Sequence, residues 1–127
     1  MRKIAAFVIS VLSIGIAHAE DPDGRALFTA HCSACHGAVG EGDGPVASSM
    51  AVTVPNLRTL TKRSAGNFPA DAIRSYIDGT EARAAHGTRT MPVWGPSLTS
   101  GGDETTVAAG RARLAAIVEF VRRLQYP

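Results

Sequence analysis

The clearest helical pattern lies in the last quarter of the chain. Apolar residues recur there at spacings of i, i+3, i+4 and i+7. They are Leu114, Ile117, Val118, Val121 and Leu124. This pattern predicts a helix from about Asp103 to Leu124 with one buried face. Arg122 and Arg123 suit its C-terminal end, where positive charge is favourable.

Two further helices are predicted upstream. The first follows the cap-type residues Asp21-Pro22-Asp23. Its residues Gly24, Phe28 and Cys32 are spaced by four and therefore share one face. A glycine at position 24 permits another helix to approach closely.

The second of these helices begins after Pro69 and ends at Asp78-Gly79, where a glycine suits the C-terminal cap. Its inward face is formed by apolar and aromatic residues. They are Ala72, Ile73, Tyr76 and Ile77.

The remaining sequence predicts loops. The glycine-rich run from Gly37 to Pro45 lacks the Gly-Lys-Ser/Thr and the preceding strand of a phosphate-binding loop, so we expect a tight irregular loop instead. Residues 46–55 predict a loop or a single helical turn, and Pro55-Asn56-Leu57 predicts a turn. Thr80 to Ser97 has no clean periodicity and predicts a long functional loop. Because no strand signal, repeat or second domain is visible, the fold class is all-α.

The first nineteen residues have the layout of a secretory signal peptide. Arg2 and Lys3 precede thirteen uncharged, mostly apolar residues, 4–16, and Ala17-His18-Ala19 forms a small-x-small cleavage site. The apolar run is shorter than the roughly 20 residues of a spanning helix, although an uncleaved anchor is the alternative. We therefore expect a signal peptide over 1–19 and one domain over 20–127.

The net charge of the chain gives little information about its binding partners. The chain has thirteen basic and eleven acidic residues. Cleavage after Ala19 removes two basic residues and no acidic one, which leaves eleven of each sign. No basic run of the kind that nucleic-acid binding needs is present.

The two cysteines of the chain lie in Cys32-Ser33-Ala34-Cys35-His36. This C-x-x-C-H spacing indicates covalent attachment of haem c. Two thiols on one helical turn can each add to a vinyl group of the same porphyrin, and His36 then reaches the iron. A thioredoxin-like disulfide would need a βαβ pattern, and a structural zinc site would need further ligands; neither is visible.

The second axial ligand decides between an electron carrier and an open haem. Met91, His86 and Met50 compete for this position, and Met91 is favoured because Pro92 holds it in an extended conformation. Ligation by His36 and Met91 would raise the reduction potential and saturate the iron. Met50 has the alternative role of core filler.

Other residues are expected around the haem. The Pro45 carbonyl is the best candidate acceptor for the second ring nitrogen of His36, a bond that would fix the tautomer. Arg89, Tyr76 and Trp94 are candidates to reach the propionates, with ordinary packing or a solvated charge as the alternative for each.

These features together resemble the class I c-type cytochromes over nearly all of residues 20–127. The resemblance is carried by Gly24 and Phe28, by the pentapeptide with Gly37, by Met91-Pro92, and by Ile117-Val118-Glu119-Phe120-Val121. It implies a small cytochrome c fold with three to five helices wrapped around one covalently bound haem. The first and last helices would cross, with Gly24 and Phe28 meeting Phe120.

The segments Gly42-Asp43-Gly44-Pro45 and Leu124-Gln125 are similar to the bacterial periplasmic branch. The resemblance implies a periplasmic electron carrier, not an enzyme. It would pass single electrons from a dehydrogenase or the bc1 complex to an acceptor such as a terminal oxidase, as a monomer or in transient complexes. Two alternatives stay open: a dedicated haem subunit of one periplasmic dehydrogenase complex, and a haem sensor or peroxidase-like protein with an open sixth site.

Overall fold

The computed structural model describes residues 21–80, 90–99 and 104–127. Six α-helices lie in these ranges: α1 (Gly24–His31), α2 (Ser33–His36), α3 (Leu60–Arg63), α4 (Ala70–Asp78), α5 (Gly95–Leu98) and α6 (Glu104–Arg123). Single 3₁₀ turns cover Ala47–Ser49 and Leu57–Thr59. No strand occurs within these ranges, which confirms the all-α class. The predicted signal peptide lies outside them.

The three longer helices were predicted, and three helices of four residues raise the number above the expected three to five. Helix α2 carries the end of the pentapeptide, whereas α3 and α5 had no counterpart in the sequence prediction. Four residues make one turn, which is too short to show a periodic pattern. None of the helices in the described ranges is both long enough and apolar enough to cross a membrane.

Helix α1 begins at a side-chain cap. The carboxylate of Asp23 accepts hydrogen bonds from the backbone N–H groups of Arg25 and Ala26, at 2.9 and 3.2 Å. These N–H groups have no partner within the helix. The cap therefore fixes the start of the helix that leads into the pentapeptide.

Helices α1 and α6 cross in close contact at Gly24. A Cβ atom at this position would lie 2.1 Å from the carbonyl oxygen of Ala116 on α6. One turn further, the rings of Phe28 and Phe120 pack with their centroids 5.2 Å apart and tilted by 51°. The expected crossing of the first and last helices is thus confirmed, with the residues that were expected to form it.

The core lies along the inner face of α6, which packs against α1, α4 and α5. Phe28 and Ile117 are its most deeply buried large side chains, each 1 % exposed. Leu114, Val118 and Val121 are also buried, as the periodic pattern predicted. Leu124 is only half-buried and marks the end of this face.

The segment 90–94 is attached to the C-terminal end of α4. The N–H of Trp94 donates to the carbonyl of Ile77 at 2.9 Å. Helix α4 ends at Asp78 and is capped, as predicted, by Gly79, which has a left-handed φ of 86°. The methyl groups of Val93 lie against this glycine. The part of the Thr80–Ser97 loop that contains Met91 is therefore held beside α4.

Candidate functional site

The pentapeptide forms the turn between α1 and α2. Cys32 lies at the junction, and its carbonyl accepts hydrogen bonds from the N–H groups of Cys35 and His36 at 3.2 and 2.9 Å. The side chains of Cys32 and His36 are both 8 % exposed, whereas Cys35 is half-buried. The two thiols are not joined in a disulfide. Because the turn is helical, both thiols and the imidazole are presented from one short segment.

An apolar cavity of about 460 Å³ lies beside this turn. Its walls come from α1, α3, α4 and α6, and include Phe28, Leu60, Ile73, Ile77 and Ile117. A smaller cavity of about 120 Å³ adjoins it and contacts Cys35 and Trp94. Both cavities are lined by Cys32, His36, Pro55, Tyr76 and Met91.

The fold brings Met91 to the same cavities as His36, across a separation of more than fifty residues. The half-buried Met91 side chain packs against the hydrophobic core. Met50 lines only the smaller cavity. His86, the third residue considered as an axial ligand, lies outside the described residues. Ligation by Met91 stays a prediction.

The second nitrogen of His36 is bonded to a different proline from the one we expected. Its Nδ1 lies 3.3 Å from the carbonyl oxygen of Pro55, so the prediction of Pro45 was wrong. The N–H groups on either side of Pro45, from Gly44 and Val46, donate to the carbonyls of Cys35 and Ala34. These bonds hold the exposed Pro45 along the backbone of α2.

The glycine-rich loop instead brings the Pro55 segment to His36. Gly42 has φ of 85°, and a Cβ atom there would lie 2.5 Å from the carbonyl oxygen of Val54. The N–H of Gly42 also donates to the carbonyl of His36 at 2.8 Å. The loop is therefore tight, as predicted, and it contacts both sides of the His36–Pro55 bond.

Burial disfavours the charged forms of His36 and Cys32. Burial lowers the pKa of the His36 imidazole, and the bond to Pro55 opposes this effect more weakly. Burial, together with the nearby Cys35, raises the pKa of the Cys32 thiol to about 11. The bond geometry requires that Nδ1 carry the proton and donate to Pro55. The lone pair of Nε2 is then available for a metal.

Comparison with known families decides which group this site holds. The protein-family model described as cytochrome c matches residues 22–125. The chain belongs to the cytochrome c family. It is a haem protein of the electron-transfer type, and its iron is carried by haem c bound covalently at Cys32 and Cys35. Comparison with curated proteins and with solved structures gave no match.

The cavities of this cytochrome fit such a group. Cofactor sites are typically clefts of about 300–1,000 Å³ with mainly apolar walls and few polar groups. The larger cavity has this size and lining, and the cysteines and His36 lie at one wall. Among the described residues, no three His, Cys, Asp or Glu side chains are grouped so that they could hold a metal ion themselves.

The structure describes two of the three residues that were candidates to contact the haem propionates. Tyr76 lines both cavities, and Trp94 lines the smaller one, where its ring lies 5.0 Å from that of His31. Arg89 lies outside the described residues. The sequence reasoning missed Arg63, which lines the larger cavity from α3. No motif or spacing links Arg63 to the pentapeptide, so only the packing of α3 could identify it.

Proposed function

We propose that this protein is a periplasmic, monohaem, class I cytochrome c whose iron is ligated by His36 and Met91. Residues 1–19 act as a cleaved signal peptide, and residues 20–127 form the functional domain. The protein carries single electrons from a dehydrogenase or the bc1 complex to an acceptor such as a terminal oxidase. It acts on no substrate of its own.

The observation that carries this proposal is that His36 and Met91 line the same two cavities. Imidazole and thioether are the axial pair of high-potential electron carriers. A catalytic or gas-sensing haem would instead need an open position at the iron. Met91 lies in a segment anchored to α4 by the Trp94–Ile77 hydrogen bond, which suits a ligand that keeps one position.

The protein supplies a largely apolar environment for electron transfer. When bound, the haem supplies an iron that changes by one electron between two oxidation states. The buried apolar side chains of Phe28, Ile77 and Ile117 line the cavity. His36 is held by Pro55 in a single tautomer. A saturated, rigid site needs little rearrangement between oxidation states, which favours rapid exchange.

The proposal is tested by a redox titration followed by optical spectra, with wild-type protein and the Met91→Ala variant. We expect wild-type ferrous protein to bind no carbon monoxide at neutral pH. Met91→Ala should lower the reduction potential and allow stoichiometric carbon monoxide binding, because it frees one axial position. Met50→Ala is the matched control and should behave like wild type.

Two results would contradict the proposal. Rapid stoichiometric carbon monoxide binding by wild type would indicate a sensor or peroxidase-like haem. An unchanged spectrum and potential in Met91→Ala would show that His86 or Met50 is the ligand. The intact mass of the secreted protein tests the signal peptide separately, since the proposed mature chain begins at Glu20.

A further inference from the structure

Three hydrogen bonds hold the side chain of Gln125, just beyond the end of α6. Its Nε2 donates to the carbonyls of Leu57 and Val121, at 2.7 and 2.9 Å. Its Oε1 accepts from the N–H of Thr61 at 2.9 Å. Two carbonyls on one side and an N–H on the other leave only one orientation for the amide. Gln125 therefore joins the end of α6 to residues 57–61.

Residues 57–61 directly follow the acceptor of the His36 bond. Asn56 caps the 3₁₀ turn: its side-chain oxygen accepts from the N–H of Arg58 at 2.8 Å, which joins residues 56–59 in one short turn. The N–H of Leu57 also donates to the carbonyl of Gly40 at 2.7 Å. The position of the Pro55 carbonyl thus depends on how the next six residues are held.

These contacts close a ring through the fold. Helix α6 crosses α1 at Gly24 and Phe28, and α1 leads into the pentapeptide. His36 bonds to Pro55, and the segment after Pro55 returns to α6 through Gln125. Helix α6 therefore holds both groups of this hydrogen bond. It holds His36 through α1 and the Pro55 carbonyl through Gln125.

We infer that Gln125 is a positioning residue that sets the hydrogen bond between His36 and Pro55 and thereby adjusts the reduction potential. This inference rests on the proposed role of His36 as an axial ligand. A bond from Nδ1 to a carbonyl makes the imidazole a stronger electron donor to a metal on Nε2. Stronger donation favours the oxidised state, so weakening the bond raises the potential.

The C-terminal residues also contact Arg58 without using the Gln125 side chain: Arg58 Nε donates to the carbonyl of Leu124 at 3.1 Å, and its guanidinium lies 4.0 Å from the centre of the Tyr126 ring. Tyr126 donates through its hydroxyl to Glu41 at 2.9 Å, on the exposed surface. Its backbone N–H donates to the carbonyl of Arg58, and this bond survives any change of its side chain. Among the C-terminal residues that the structure describes, Gln125 is the one whose side chain hydrogen-bonds to both Leu57 and Thr61.

The test uses the haem-loaded ferrous protein labelled with ¹⁵N-histidine. Gln125→Met keeps the length of the side chain but removes all three hydrogen bonds. We expect the Nδ1 proton of His36 to exchange with solvent about tenfold faster or more, because the Pro55 segment opens more often. The midpoint potential should rise at the same time. Tyr126→Phe is the matched surface control and should change neither quantity.

A variant of the core separates positioning from general stability. Val118→Ala removes buried apolar volume from α6, and Val118 lines neither cavity. Even if Val118→Ala lowers the denaturant midpoint as much as Gln125→Met or more, it should leave the exchange rate of the His36 Nδ1 proton within about threefold of the wild-type rate. If Val118→Ala and Gln125→Met accelerate exchange equally, Gln125 contributes only stability and the inference is wrong.

Failure of the inference is distinguishable from failure of the proposed function. If the wild-type protein shows no His36 ring signals shifted by the haem, His36 is not an axial ligand. Both the proposed function and the role of Gln125 are then refuted. If these signals are present but Gln125→Met exchanges like wild type, only the role of Gln125 is refuted. A fall in potential would also refute it, because it would show greater access of water to the haem instead of weaker donation from His36.

Discussion

Replacing Gly24 by alanine is the most direct test of how this fold is held together. The new Cβ atom would lie 2.1 Å from the carbonyl oxygen and 2.7 Å from the carbonyl carbon of Ala116. Real Cβ contacts essentially never fall under 3.0 Å, so α1 and α6 must separate by about 0.9 Å or bend. The obstacle is backbone and cannot rotate away.

The expected cost follows from that separation. A radial gap of about 0.5–1 Å forfeits roughly a quarter to a half of a van der Waals contact. The contacts affected include those of Phe28 with Phe120. Overpacking typically costs about 1–3 kcal/mol. We expect Gly24→Ala to lie at the upper end, because its gain in helix propensity is small at the first position of α1.

Guanidinium unfolding of the haem-loaded protein, followed by far-ultraviolet circular dichroism, measures this cost. Gly110→Ala is the matched control on α6. The nearest atom to its Cβ would be the side-chain methyl of Thr99 at 2.3 Å, which can turn away if the hydrogen bond from Thr99 Oγ1 to the Gly95 carbonyl is given up, and the closest backbone atom lies at 2.9 Å. Gly110→Ala should therefore cost less. The reasoning is refuted if Gly24→Ala stays within about 0.5 kcal/mol of wild type or costs less than Gly110→Ala.

Two further predictions concern the start of α1 and the charge near the haem cavity. Asp23→Ala should lower the free energy of unfolding by about 1 kcal/mol, since it removes the cap, whereas Asp23→Asn should keep most of it; equal losses in the two variants would exclude capping. Arg63→Gln should lower the midpoint potential, because a cation beside the cavity disfavours the oxidised iron. Lys62→Gln removes the same charge from a side chain that does not line the cavity, and an equal shift in both titrations would contradict a specific role for Arg63.

The chemistry of attachment could be predicted from the sequence because it is local. Cys32, Cys35 and His36 lie within one turn, so their spacing alone defines how thiols and imidazole are presented. The longer helices were predictable for a similar reason. Each buries one face, and the period of Leu114, Ile117 and Val121 reflects that burial directly.

The hydrogen-bond acceptor of His36 could be identified only from the tertiary structure. Pro45 and Pro55 are both prolines in polar or mixed segments after the pentapeptide, and nothing in their sequence distinguishes them as acceptors. The choice is made by backbone hydrogen bonds, which hold Pro45 along α2, and by Gly42, which lets the Pro55 segment approach. Backbone carbonyls are present at every residue, so composition carries no signal about which one is used.

The same reason applies to Arg63 and Gln125. The sequence determined the attachment motif and the helical class, which depend on spacing within a helix, and the family resemblance implied the residues of the α1–α6 crossing. Only the packing of separate segments decided that Arg63 lines the cavity, that Met91 shares it with His36, and that Gln125 joins α6 to the segment after Pro55. These are contacts between residues far apart in the chain, and they exist only once the helices have enclosed the haem site.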